Sequence, residues 1–272
     1  MYETIYIRPE SLSEASALLG EQEEARPLSG GMTLIPTLKQ RLAAPTHLVD
    51  LVRLPELRGV RTANGVLRIG ASTTHANVAA SPEVSQAIPA LAQLAGIIAD
   101  PQVRNRGTLG GSVANNDPAA DYPSAVLALG ATVVTSARRI AADDFFIDTF
   151  DTALEPGELI VAIEFPVPER AAYAKYRHPA SGYAVVGVFI ACFPTGIRVA
   201  VTGAGPSVFR WRDAESALET DCSDAAIAAL EVDSSNLPDD ANGSAAYRAH
   251  LIKTYTRRAL QALLQPRGVQ SN

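Results

Sequence analysis

The chain has 272 residues, 47% of them hydrophobic, and a formal net charge of −6 at pH 7. This length allows a large core divided over two or three lobes, and the acidic balance argues against nucleic acid or an anionic membrane as the main partner. No apolar run approaches the ~20 residues that span a bilayer, and the N-terminus MYETIYIRPESLSEA lacks the pattern of a signal peptide, so we expect a cytoplasmic protein.

The first 58 residues show alternating strand and helix patterns. Ser11 and Glu14 form a capping-box pattern that opens a short helix, which Gly20 is expected to end. Strands are expected at 4–7, 26–28 and 46–51, and a second helix at 34–42 with Pro36 near its start. This order of strand, glycine loop and helix is typical of anion sites.

Two further lobes follow. In residues 59–168 the pattern predicts strands at 66–71, 131–136 and 159–165 and helices at 85–99 and 123–129. In residues 169–272 it predicts an antiparallel sheet of three strands at 172–177, 183–193 and 198–202, and helices at 212–218, 225–230 and 244–264. The expected fold class is therefore α+β.

Two glycine pairs stand out, each where an apolar strand gives way to a loop. Gly30-Gly31 and Gly110-Gly111 lie 80 positions apart. A glycine pair lets backbone N–H groups approach an anion that a Cβ would hold off, although most such pairs are ordinary turns. Together they predict two halves of one diphosphate site.

The residues around both pairs resemble those of one family. Ser29 to Pro36 reads SGGMTLIP, and Arg104 to Asp121 reads RNRGTLGGSVANNDPAAD. Both motifs resemble the flavin-carrying medium subunits of molybdenum hydroxylases, such as aerobic carbon monoxide dehydrogenase and bacterial xanthine dehydrogenases. The resemblance covers nearly the whole chain. It implies a two-lobed FAD-binding fold of the vanillyl-alcohol-oxidase type at 1–58 and 59–168, and a C-terminal flavoprotein domain at 169–272.

The resemblance also implies which residues bind FAD noncovalently. Residues 29–34 would lie along one side of the diphosphate and the second glycine loop along the other, while Asp121 would contact polar parts of the cofactor and the Lys175 ammonium the isoalloxazine edge. The implied cofactor-binding residues are Ser29, Gly30, Gly31, Met32, Thr33, Leu34, Thr108, Gly110, Gly111, Asn115, Asp117, Asp121, Leu159, Ile160, Lys175 and Tyr183.

Several of these residues also have simpler structural interpretations. Asp121 could be a helix cap and Lys175 could lie on an exposed strand face, while Arg104 and Arg106 are expected to be structural. The four histidines have no metal spacing, and none is predicted to be catalytic. The sequence departs from the family pattern at Met32, at Asn115-Asn116 and at Ser181-Gly182, which leaves the electron acceptor open.

The implied function is electron transfer within a three-subunit enzyme. A large molybdopterin subunit and a small [2Fe–2S] subunit would be the partners, in a dimer of heterotrimers, and an external acceptor would take the electrons. Cys192 and Cys222 are isolated, which excludes a cluster or zinc site built from this chain's own thiols. The alternatives are a self-contained flavin oxidase or reductase, and a non-catalytic assembly protein that has lost flavin.

Overall fold

The computed structural model describes residues 1–241 and 243–265. Within these residues the strands form sheets of three, five and four strands and one two-stranded hairpin. The strands are β1 (Ile5–Ile7), β2 (Ala25–Leu28), β3 (His47–Asp50), β4 (Val60–Ala63), β5 (Val66–Gly70), β6 (Thr132–Thr135), β7 (Arg139–Ala141), β8 (Phe146–Asp148), β9 (Asp151–Thr152), β10 (Ile160–Pro166), β11 (Arg170–Arg177), β12 (Ala184–Phe193), β13 (Gly196–Thr202) and β14 (Phe209–Arg210). The mixture of helices and strands agrees with the predicted class.

Helices connect these strands throughout the described part of the chain. They are α1 (Leu12–Glu21), α2 (Leu34–Lys39), α3 (His75–Ala80), α4 (Pro82–Ala87), α5 (Pro89–Gly96), α6 (Pro101–Arg104), α7 (Leu109–Asn115), α8 (Tyr122–Ala128), α9 (Ala142–Phe145), α10 (Arg212–Thr220), α11 (Asp224–Ala228) and α12 (Ala245–Leu264). A short 3-10 helix covers Pro55–Leu57. Among the described residues, no helix has both the length and the apolar character needed to cross a bilayer.

The first sheet has the order β1-β3-β2, with both outer strands parallel to β3. Ser11 caps α1 as predicted, because its Oγ accepts a hydrogen bond from Glu14 N at 3.2 Å. The helix α2 directly follows the first glycine loop but ends at Lys39, three residues before the predicted end at Leu42. Arg41 has a left-handed φ of 60°, which a helix cannot continue through, and Leu42 is 73% exposed.

The second sheet has the order β4-β5-β10-β6-β7 and is antiparallel. The single helix predicted at 85–99 is wrong, because the chain breaks at Ile88 (φ −140°, ψ 79°) into α4 and α5. Pro89 explains the break, since proline lacks an N–H and disfavours helical geometry in the residue before it.

The third sheet has four antiparallel strands in the order β11-β12-β13-β14, and not the three predicted. The missed strand β14 pairs only two residues, Phe209 and Arg210, with β13, which is too short for an alternating pattern. The helix α12 begins after the cap residue Ser244 and buries Leu251, Ile252 and Leu263.

The largest hydrophobic core joins the second and third sheets. It includes Leu67 and Phe165 from the second sheet, Val126 from α8, and Phe189 from the third sheet, all fully buried. The helix α8 therefore lies at the junction of two sheets. The segment that leads into α8 is held against the third sheet, because Ala184 N donates to Ala119 O at 3.2 Å and Gly203 N to Pro118 O at 2.7 Å.

Candidate functional site

The two glycine loops are in direct contact. Ser29 Oγ and Thr108 Oγ1 are hydrogen-bonded at 2.9 Å. A Cβ at Gly30 would lie 2.1 Å from Arg106 O, so only glycine allows the first loop to approach the second this closely. The predicted pairing of the two loops is present in the fold.

The loop after β5 supports the second glycine loop. Gly110 N donates to Ala71 O at 2.9 Å, Leu109 N to Thr73 O at 3.0 Å, and His75 N to Gly107 O at 3.0 Å. A Cβ at Gly110 would lie 2.5 Å from the Ala71 Cβ. Gly110 is therefore required for packing against the end of β5.

The backbone N–H groups differ between the two loops. In the part of the chain that the structure describes, the five N–H groups of residues 30–34 donate to no protein acceptor. The N–H of Gly110 is used by Ala71 O, and that of Gly111 donates to Thr108 Oγ1 at 3.1 Å. Free donors for an anion are therefore concentrated on the first loop.

A cavity of about 740 Å³ opens between the loops. Every predicted cofactor-binding residue except Lys175 lines it. This volume lies within the ~300–1,000 Å³ typical of ligand pockets. Gly111 lies exposed at its wall, where an added Cβ would meet Thr108 Oγ1 at 2.8 Å and otherwise only the Ser29 Cβ at 3.9 Å.

Asp121 and Lys175 form an ion pair beneath the cavity. Lys175 Nζ donates to Asp121 Oδ1 at 2.8 Å, to Oδ2 at 3.1 Å and to Gly182 O at 3.0 Å, and Tyr173 Oη donates to Oδ1 at 2.6 Å. The side chains of Lys175 and Asp121 are 2% and 4% exposed. Burial raises the pKa of Asp121, while Lys175 and Tyr173 oppose that shift.

This geometry removes two of the simpler interpretations. Asp121 precedes α8, but its side chain makes no capping hydrogen bond, and Lys175 is not on an exposed strand face. Because the three acceptors of the Lys175 ammonium all belong to the protein, its direct contact with a flavin stays a prediction. Asp121, which does line the cavity, is the member of the pair that a ligand would meet.

Neighbouring polar residues have separate tasks. Asn116, fully buried with a left-handed φ of 41°, donates from Nδ2 to Asp148 O at 2.7 Å and Asp151 O at 2.8 Å. It thus connects the end of α7 to the β8–β9 hairpin.

Asp117 lines the cavity, and burial raises its pKa. Arg104 donates to Ile98 O at 2.8 Å, which agrees with its expected structural role.

Part of the cavity wall was not predicted from the sequence. Phe150, at the tip of the β8–β9 hairpin, and Ser72 and His75, after β5, also line it. His75 is 5% exposed, and burial together with nearby Arg104 lowers its pKa to about 4. The available signal was the polar stretch Ser72 to His75 directly after a strand, whereas nothing in the sequence marks Phe150.

Comparison with known proteins gives the family. Residues 1–168 match the FAD binding domain in molybdopterin dehydrogenase. The carbon monoxide dehydrogenase medium chain of Hydrogenophaga pseudoflava is 36% identical over 94% of this chain and 96% of its own. The glyceraldehyde dehydrogenase medium chain of Sulfolobus acidocaldarius is 35% identical over 94% of this chain and 96% of its own. The chain belongs to the FAD-binding family of molybdopterin dehydrogenases.

Structural comparison extends the likeness to the whole chain. A crystal structure of Cu,Mo-CO dehydrogenase in its cyanide-inactivated form contains a chain with a TM-score of 0.88 and 34% identity, covering 97% of this chain and 98% of that one. The resemblance inferred from the two glycine motifs is confirmed. The third sheet and α12, which lie beyond residue 168, are thus common to this FAD-binding chain and a solved relative.

Proposed function

We propose that this chain is the FAD-carrying electron-transfer subunit of a three-subunit molybdenum hydroxylase. The observation that carries the proposal is the cavity between the glycine loops, in a chain of the FAD-binding family. When bound, FAD supplies the exchange of one and two electrons. The chain's own residues bind the cofactor, orient it and set the charge around it.

The free N–H groups of residues 30–34 are the proposed diphosphate donors. Thr33 adds a hydroxyl, since its side chain makes no capping bond to α2. The missing Cβ of Gly111 leaves room at the opposite wall. The remaining predicted contacts, at Met32, Asn115, Asp117, Leu159, Ile160 and Tyr183, are supported by their places in the cavity wall.

The lobe description is part of the proposal. We assign a vanillyl-alcohol-oxidase-type FAD domain to residues 1–58 and 59–168 and a C-terminal flavoprotein domain to 169–272. In support, the strands of the three main sheets fall within 5–50, 60–166 and 170–210. The cavity wall takes residues from all three parts, so the third part would contribute to cofactor binding through Ser181, Gly182 and Tyr183.

The proposed partners are a large molybdopterin subunit and a small [2Fe–2S] subunit, assembled in the cytoplasm as a dimer of heterotrimers that passes electrons to an external acceptor. The support is that the relatives are named medium chains. In the described part of the chain, no group of three or more His, Cys, Asp or Glu could hold a metal. The relatives act on different compounds, so we assign no substrate to the complex.

Isolation of the tagged chain from its own cells tests this assignment. We expect two further chains to co-purify, with bound flavin, molybdenum and iron in the preparation. A flavin-containing chain that hydroxylates a substrate by itself would favour the self-contained oxidase. A colourless chain that does not bind added FAD would favour the assembly protein. Either result would overturn the proposal.

A further inference from the structure

His75 lies between the second glycine loop and α8. A Cβ at Gly107 would come within 2.6 Å of His75 Nε2, and the His75 ring centroid is 5.3 Å from that of Tyr122. The residue is 5% exposed and lines the cavity. Its imidazole is therefore held in one place, with Nε2 on the side of Gly107.

The environment of the ring selects one tautomer. His75 Nδ1 is fully enclosed and has no hydrogen-bond partner among the described residues. The lowered pKa, about 4, makes the ring neutral at pH 7, so one nitrogen carries the single proton. A buried N–H without an acceptor is rarer in proteins than an acceptor without a donor. The proton therefore lies on Nε2, beside Gly107 and the cavity.

The second glycine loop has fewer free backbone donors than the first. The N–H groups of Gly110 and Gly111 are already used within the protein, and Arg104 donates to Ile98 O and Ala99 O. We propose that His75 Nε2–H donates a hydrogen bond to a diphosphate oxygen of FAD, opposite the free N–H groups of residues 30–34. This inference rests on the proposed function.

The position of His75 favours the diphosphate over other parts of the cofactor. His75 Nε2 lies beside Gly107, and Gly107 is also a point at which the second loop contacts Gly30 of the first loop. Residues 30–34 and His75 line the same cavity, so an anion that the first loop holds in it can also meet the imidazole. Nε2–H would then have the acceptor that the protein itself does not provide.

Binding of ADP and FAD to His75→Phe tests the proposal, because ADP carries the diphosphate without the flavin. We expect both affinities to fall by the same factor, about ten- to a hundredfold, as for a lost hydrogen bond to a charged group. Tyr122→Phe is the matched control, since it removes a hydroxyl that has no partner among the described residues and keeps the ring beside His75. It should leave both affinities unchanged. Unchanged ADP affinity in folded His75→Phe would overturn the proposal, as would loss of FAD affinity alone.

A measurement on the unsubstituted protein covers the case in which His75→Phe does not fold. The chain has four histidines, so ¹⁵N-histidine labelling gives a small set of ring resonances, assigned by replacing His47, His178 and His250 in turn. FAD should shift the Nε2 resonance of His75. If FAD binds and that resonance does not move, the inference fails while the proposed function stands. If FAD does not bind, the proposed function fails as well.

Discussion

At the residue scale, Lys175 shows what a motif can and cannot reveal. The resemblance selected both Lys175 and Asp121, but their mutual contact depends on β11 packing against the start of α8, 54 positions away in the chain. A sequence pattern does not encode such a distance. In the structure, Lys175 is therefore part of a buried ion pair and is not an isolated cation. Its substitution is for this reason expected to lower the stability of the protein.

Lys175→Met should destabilise the protein strongly. The substitution leaves the Asp121 carboxylate buried without its cation, which typically costs about 3–5 kcal/mol. Denaturant unfolding of the FAD-free protein measures the loss. The double variant Asp121→Asn/Lys175→Met should recover much of it, because no buried charge remains. If Lys175→Met changes the free energy of unfolding by less than about 1 kcal/mol, the buried pair is not as described.

His75 predicts a pH dependence of stability. Its folded pKa of about 4 lies below the ordinary 6.5, so the unfolded chain binds the extra proton first as the pH falls. For this group, the free energy of unfolding therefore decreases by about 3 kcal/mol as the pH falls from 6.5 towards 4. Unfolding of the FAD-free protein at pH 7 and pH 4 should show a smaller loss for His75→Phe, but not for the exposed control His250→Gln. Equal losses in all three proteins would contradict the lowered pKa.

At the scale of elements, the helices and strands that could be predicted from the sequence are those whose patterns are local. The capped helix α1, the strand β2 with its glycine loop, and the long strands β11 to β13 carry their signals in consecutive residues. The pattern did not reveal β14 or the β8–β9 hairpin, because short strands form through partners distant in sequence. Gly30 and Gly110 were predicted as anion-site residues, whereas the structure also gives each a packing role that depends on a remote backbone segment.

Asn116 should stabilise the β8–β9 hairpin. The Asn116 side chain also contacts Ser207 Oγ, from Nδ2 at 3.1 Å and from Oδ1 at 3.3 Å, so Asn116→Gly removes contacts with three residues while keeping the left-handed backbone accessible. We expect a loss of about 2–3 kcal/mol and faster hydrogen exchange in residues 146–152. Asn116→Ala should cost about 1 kcal/mol more, since alanine resists a positive φ. Unchanged exchange in the hairpin of Asn116→Gly would show that these contacts do not hold it.

At the scale of the whole molecule, one core joins the second and third sheets, and one cavity takes residues from all three parts of the chain. The family match ends at residue 168, yet Tyr183 lines the cavity and Lys175 holds Asp121 from the third sheet. The third part of the chain is therefore integral to the site. Its role entered the sequence prediction only through the resemblance, because composition and periodicity give no reason to connect residues 175–183 with two glycine loops.

Titration of the purified chain with FAD tests whether FAD binds in the cavity between the glycine loops. We predict one FAD per chain, and loss of binding in folded Gly111→Val, because the added side chain enters the cavity wall beside Thr108 Oγ1. Gly20→Val is the control, since a Cβ at Gly20 has nothing within 4 Å. It should bind FAD as the unsubstituted chain does. Full FAD affinity in folded Gly111→Val would show that FAD does not bind between the glycine loops.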